Sequence, residues 1–200
     1  MGNATMAKGK KMQLGQISFR LMTERFFNEM GQLDEFTKKS DRAHGIMLIK
    51  ISTSEKLIAI PLRSSLKKTQ KNKPYIIAYE IYDKIDSSKS TTSKALKGLD
   101  MSKLLFIEEE HVDFTKVFKT NDAAEQQYYR DHYGQIYRRV TNYITKYQKQ
   151  CNDFSNLNEA AKKSFYYSYR FSTLVNFHEE LKINTSKDEI QTFFKEFDPS

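Results

Sequence analysis

The sequence predicts an α+β fold: a compact, strongly bent, barrel-like antiparallel β-sheet flanked by helices, with the long helices in the C-terminal half. Two observations predict it. Between residues 46 and 109, short runs rich in Ile, Leu and aromatic residues follow one another with no helical period between them, the pattern of an antiparallel sheet. From Asp122 onward the apolar residues recur at helical spacing instead. The chain has 200 residues, 38% of them hydrophobic, which is enough to bury one sizeable core.

Each element has its own justification. The opening MGNATMAKGKKMQ is polar and basic, so residues 1–16 read as a disordered basic extension ahead of a single domain over 17–200. TERFFNEMGQL sets Phe26, Phe27, Met30 and Leu33 at helical spacing behind Thr23 as a cap. IMLIKI (46–51), KLIAIPL (56–62), PYIIAYEI (74–81) and KLLFIEE (103–109) read as strands. Pro61 lacks an N–H and predicts that the second strand leaves the ladder near Arg63. SSKSTTSKALKGLDMSK (87–103) is rich in Ser, Thr and Lys and reads as a mobile loop with one helical turn. DAAEQQYYRDHYGQIYRRVTNYITKYQKQ reads as one long helix capped by Asp122 and Glu125, with Tyr129, Tyr133, Ile136, Val140, Ile144 and Tyr147 on one face. That tyrosine-rich face could stack nucleic-acid bases, but its period is that of core packing. Two more helices follow, one capped by Asn156 and Glu159, the other by Ser186 and Glu189 with Ile190, Phe193, Phe194 and Phe197 as its stripe.

Charge narrows the function. Lys plus Arg number 33 against 25 Asp plus Glu, a formal net charge of +8 that favours polyanions, nucleic acid first among them. The single Cys151 can form no internal disulfide, and no apolar run resembles a signal peptide or a membrane span, so a cytoplasmic protein is expected. Phosphate loops, HExxH, zinc-spaced Cys/His and Gly-x-Ser-x-Gly patterns are missing. EEEH (108–111) could offer metal ligands, but alternate strand residues point to opposite faces, and neither metal nor cofactor is expected. His178 reads as a surface or packing residue.

One segment combines charge with a special arrangement. LIAIPLRSSLKKTQKNKPYIIAYEI (57–81) interrupts two apolar runs with Arg63, Ser64 and four lysines. Lys71 and Lys73 alone would be a solvated face. An Arg, a hydroxyl and a Lys at one strand end, however, suit RNA cleavage without metal, in which the 2′-OH attacks the adjacent phosphate and fixed donors meet the developing charge.

IAIPLRSSLKK resembles the signature of the AbiQ/ToxN family of type III toxin–antitoxin endoribonucleases. DRAHGIMLIKI looks like the strand entering the core of that family after a basic residue. GLDMSKLLFI is similar to a Gly-Ile-Asp-Phe-Ser-Lys turn of the AbiQ-like branch, and the Tyr-rich helix matches in kind. The resemblance covers most of residues 17–150. It implies metal-independent, sequence-selective cleavage to a 2′,3′-cyclic phosphate and a 5′-OH. It also implies restraint by a folded, repeat-derived RNA antitoxin, closed protein–RNA rings, and a role in phage defence by abortive infection, with cellular or phage RNA as substrate.

Carried over by position, the catalytic Ser falls on Ser64, its neighbour on Arg63 and the following Lys on Lys67, with Lys68 the alternative because some relatives have Ser-x-Lys. The basic residue ahead of the earlier strand falls on Arg42. His44 is either an acid/base or a strand residue. Lys38, Lys39, His44, Lys68, Lys71 and Lys73 are the expected RNA contacts. The general base stays open, and so do the cleavage motif, the antitoxin sequence and the ring size. A non-catalytic RNA-binding module is the alternative reading, and a protein-interaction domain with a basic surface a third.

Overall fold

Seven strands and five helices make up the fold in a computed structural model that describes residues 12–30, 45–52, 54–86, 91–120 and 122–197. The strands are β1 (Ile17–Met22), β2 (Ile46–Ile49), β3 (Leu57–Lys67), β4 (Ile76–Asp86), β5 (Thr91–Asp100), β6 (Leu105–Ile107) and β7 (Val112–Val117). The helices are α1 (Glu24–Met30), α2 (Ala123–Asp131), α3 (Tyr133–Asn152), α4 (Glu159–Tyr169) and α5 (Lys187–Glu196). All pairings are antiparallel, in the order β4-β5-β3-β2-β1-β7, with β6 alongside β3. The α+β class and the C-terminal long helices stand.

The sheet ends at β4 and β7, so the expected barrel is an open sheet. The far half of the β4–β5 ribbon explains this. It carries exposed Asp83, Lys84, Ile85 and Lys94, with no continuous apolar face to draw β4 round toward β7. The stretch read as a mobile loop is therefore largely β5, in register with β4 over ten paired positions. Thr91 and Thr92 are strand formers, and Leu96 and Leu99 are buried on its two faces.

Pro61 sits in the middle of β3, opposite Ile46, and does not end it. Leu62 donates its N–H to the Gly45 carbonyl at 3.0 Å, on the β2 side. By alternation the Pro61 nitrogen faces the other edge, where the 3-10 turn Met101–Lys103 interrupts the run from β5 to β6. No donor is needed there.

The helices follow their caps. Ser186 Oγ accepts from Glu189 N at 3.1 Å at the start of α5, and Asp122 Oδ1 accepts from Ala124 N at 3.0 Å at the start of α2. The cap of α4 is Asn158, which accepts from Ala161 N at 2.9 Å, whereas Asn156 belongs to the preceding 3-10 turn. The long helix divides at His132, whose ring lies 4.1 Å from that of Tyr128 with Nδ1 2.8 Å from the Tyr128 carbonyl. Tyr129, Ile136, Val140, Ile144 and Tyr147 are buried against the sheet with Phe165, Tyr169 and Ile190, so the tyrosine face is core.

Gly98 stands where three strands meet, opposite Arg63 on β3 and Ala78 on β4. A Cβ there would lie 2.5 Å from the Ile77 carbonyl oxygen, a backbone atom that cannot step aside cheaply. Gly98→Ala is expected to lower stability by about 1–3 kcal/mol in urea unfolding. A neutral result would mean that the strands are less tightly apposed.

Candidate functional site

Beyond Leu62, β3 continues along β5 and, among the described residues, no strand pairs with its other edge. Arg63 faces Gly98 and Leu66 faces Leu96, so β3 takes three steps where β5 takes two. The extra residue makes a bulge at Ser64–Ser65 opposite Lys97. A second bulge sets Tyr79 out of β4 on the far side of the same lysine, between the Ala78–Gly98 and Glu80–Lys97 pairs. Bulges bend strands and re-aim side chains.

The register sorts the site residues onto two faces. Arg63 and Leu66 share one face with Asp100. Leu66 joins Ile76 and Leu96 there in a small apolar cluster, and Arg63 Nη1 lies 3.7 Å from Asp100 Oδ2. Ser64, Ser65 and Lys67 belong to the opposite face, with Tyr82 and Lys84. The Tyr82 hydroxyl donates to the Ser64 carbonyl, and Lys84 Nζ donates to Ser65 Oγ at 3.1 Å. The Ser64 hydroxyl is exposed and has no hydrogen-bond partner among the described residues. Lys67 and Lys84 make no ion pair among the described residues. The structure thus brings Ser64 and Lys67 to one face and places Arg63 on the other.

The charge of Arg63 is partly neutralised. Asp100 is buried, and its Oδ1 caps the turn after β5, accepting from Ser102 N at 3.1 Å and Ser102 Oγ at 2.6 Å. Its Oδ2 is the oxygen that faces Arg63. The side chain of Arg63 remains 41% exposed, so the outer side of its guanidinium is open to a ligand. Two of the stretches that carry the resemblance, IAIPLRSSLKK and GLDMSKLLFI, therefore meet in space at this ion pair.

A polar knot beneath the bulges fixes them to α2. Lys97 Nζ lies 3.0 Å from Glu80 and 3.7 Å from Asp122, and the Glu80 hydrogen bond holds the ammonium above its ordinary range. Tyr79 donates to Asp122 at 3.0 Å and holds that carboxyl below the usual carboxylate range. Deeper, burial pushes the Glu125 carboxyl up, and the Tyr129 hydroxyl donates to it at 3.1 Å. With its cation already paired, this knot ties the two bulges to the start of α2.

The lysine-rich connection from β3 to β4 is a built structure. Lys67 N donates to Gln70 Oε1 at 3.0 Å, Lys71 N to the Lys68 carbonyl at 3.1 Å, and Lys73 N to the Gln70 carbonyl at 2.9 Å. Arg139 on α3 holds its far end through the Ile76 carbonyl at 2.8 Å. Lys67, Lys68, Lys71 and Lys73 are exposed along it, without a carboxylate partner among the described residues. Lys38, Lys39, Arg42 and His44 lie outside the described residues.

The remaining histidine candidates are structural. His111 is buried, with Nε2 2.8 Å from Glu29 and Nδ1 accepting from Glu108 N at 3.1 Å, which locks α1 to the sheet. His178 is buried between the Tyr147 hydroxyl and the Thr185 carbonyl, both at 2.8 Å, and burial lowers its pKa. Among the described residues no three His, Cys, Asp or Glu side chains converge as a metal-ligand group. Tyr82 and Lys84 escaped the sequence reading, although the alternation of PYIIAYEI continues through them to the end of β4. No helix among the described residues is long and apolar enough to cross a membrane. No family model matches the chain, and no curated protein or solved structure is significantly similar to it.

Proposed function

We propose that this protein is a metal-independent, sequence-selective endoribonuclease, the toxin of a type III toxin–antitoxin pair restrained by a folded, repeat-derived RNA. The observation that carries the reading is the Ser64 hydroxyl, exposed on a bulge and without a hydrogen-bond partner among the described residues, on the face that also holds Lys67 and Lys84. In this chemistry the substrate's own 2′-hydroxyl gives up its proton to water as its oxygen bonds to the adjacent phosphorus, the bond to the 5′-oxygen breaks, and the leaving 5′-oxygen takes up a proton from water. Ser64 donates to a non-bridging oxygen while Lys67 balances the growing charge. Arg63 reaches the phosphate from the other face, round the free edge of β3, and Arg42 completes the cradle by its position in the sequence. The working place is the cytoplasm, with cellular or phage RNA as substrate and a protein–RNA ring as the inhibited form.

A non-catalytic RNA-binding module is the second reading, favoured by the anchoring of Arg63 to Asp100. Incubation of a mixed-sequence RNA with the full chain in excess EDTA separates the two. Discrete fragments ending in cyclic phosphate are expected, and retention of intact RNA with no fragments would leave only the binding module.

The exposed lysines beyond the bulge should act on affinity. Lys71→Ala and Lys73→Ala are each expected to weaken antitoxin RNA binding and to flatten its salt dependence by about one counterion, with cleavage at saturating substrate retained. Loss of turnover at unchanged affinity would reverse these roles.

A further inference from the structure

We propose that the cavity at the β1–β7 end of the sheet is a second binding site, which takes a phosphorylated nucleotide. It is an open cleft of about 500 Å³, within the size range of small-molecule sites, and Gln16, Ser18, Arg20, Phe114, Arg130 and Tyr133 line it. Strand β2 separates it from β3 and the Ser64 bulge.

Two guanidinium groups line this one cavity without a counterion among the described residues. Arg20, on β1, lies over the Phe114 ring at 5.8 Å and donates through Nη1 to the Lys116 carbonyl at 3.3 Å. Its Nε is buried and has no hydrogen-bond partner among the described residues. A buried N–H left unpaired is costly, so the Arg20 side chain gains by turning to meet an acceptor. Arg130, in the last turn of α2, lies over the Phe19 ring at 5.1 Å. Neither arginine makes an ion pair among the described residues. The nearby carboxylates are engaged elsewhere: Asp113 with Lys116 at 3.4 Å and with the Thr115 amide at 2.9 Å, and Asp131 with Gln127 at 2.7 Å.

Aromatic rings flank both guanidinium groups, and although Arg20 spends one N–H on the Lys116 carbonyl, each keeps further N–H groups that suit the paired oxygens of a phosphate. Tyr133 adds a hydroxyl. Ser18 and Gln16 add neutral hydrogen-bonding groups. Phe114 and Tyr133 add aromatic surface to the lining, and the volume exceeds what a bare phosphate needs. Phosphate plus planar base is the chemistry of a nucleotide, either free or at the phosphorylated end of an RNA.

Titration of the full chain with AMP, adenosine and inorganic phosphate, followed by backbone amide NMR, tests the site. AMP is expected to shift the resonances of Ser18, Arg20 and Arg130, phosphate to do so more weakly, and adenosine to leave them unmoved. Arg130→Gln alters an exposed helix position and should weaken AMP by roughly 10- to 100-fold, the worth of one charge-assisted hydrogen bond. Arg20→Gln should do the same, and Arg20→Lys should restore part of the loss. Dinucleotides with and without a 5′-phosphate separate the two sources: tight binding of the phosphorylated one points to an RNA end, and its exclusion points to a free nucleotide. No shift at millimolar AMP, adenosine as tight as AMP, or AMP affinity unchanged in Arg130→Gln would each overturn the proposal.

Discussion

Ser64→Ala is expected to fold like the parent chain, to bind RNA with nearly the parent's affinity, and to cut it roughly 100- to 1,000-fold more slowly, the usual effect of removing one fixed donor to a transition state. The folding part follows from the local structure. The Ser64 side chain is exposed and makes no hydrogen bond among the described residues, while its carbonyl, which receives the Tyr82 hydroxyl, is untouched by the substitution. The rate part follows from the bulge, which holds that hydroxyl on the face of Lys67 and Lys84 with its donor unused. In cells expressing the chain without antitoxin, the variant should permit growth where the parent arrests it. Ser65→Ala is the matching control, because Ser65 Oγ already receives Lys84 Nζ and its loss should be mild by comparison. A Ser64→Ala protein as toxic as the parent would remove Ser64 from the mechanism.

How much of this was legible in the sequence depends on the kind of signal each element carries. The caps and stripes of the C-terminal helices could be read because a cap bonds within a few residues of itself, as Ser186 does to Glu189, and because a 3.6-residue period is a local property. The strand β5 was hidden because Thr91, Thr92, Ser93 and Lys94 are exposed on both faces of a ribbon that projects past the core. There is no inside to write an alternation against. β1 was missed for a related reason: Arg20, a charge inside a short apolar run, lines a cavity at the sheet end. The open sheet was likewise not readable, since closure depends on what faces the far end of β4, which is a long-range property.

The candidate site was half legible. Nearness in the chain marks Arg63 to Lys73 as a stretch of charge and hydroxyls, and every lysine named there is exposed. What linear order could not give was the face. A one-residue bulge reverses alternation, and the register sends Arg63 to the Asp100 side while Ser64 and Lys67 face Tyr82 and Lys84. The partnership of Arg63 with Asp100 spans residues far apart in sequence and depends on how β5 pairs with β3. For the same reason Lys84, close to the bulge across the ladder, was passed over in favour of nearer neighbours.

The central claim is that the bulge on β3 drives the substrate's own 2′-oxygen onto phosphorus. The most direct test is cleavage of an RNA carrying a single 2′-deoxy nucleotide on the 5′ side of a mapped cut, in EDTA, beside its all-ribo counterpart. The account predicts that the all-ribo strand is cut to a 2′,3′-cyclic phosphate and a 5′-OH at a rate indifferent to EDTA. The substituted strand should bind equally well and remain intact at that bond, because the nucleophile is gone while the phosphate contacts of Ser64, Lys67 and Arg63 remain. Efficient cleavage of the 2′-deoxy strand, or cleavage that requires a divalent ion, would contradict it.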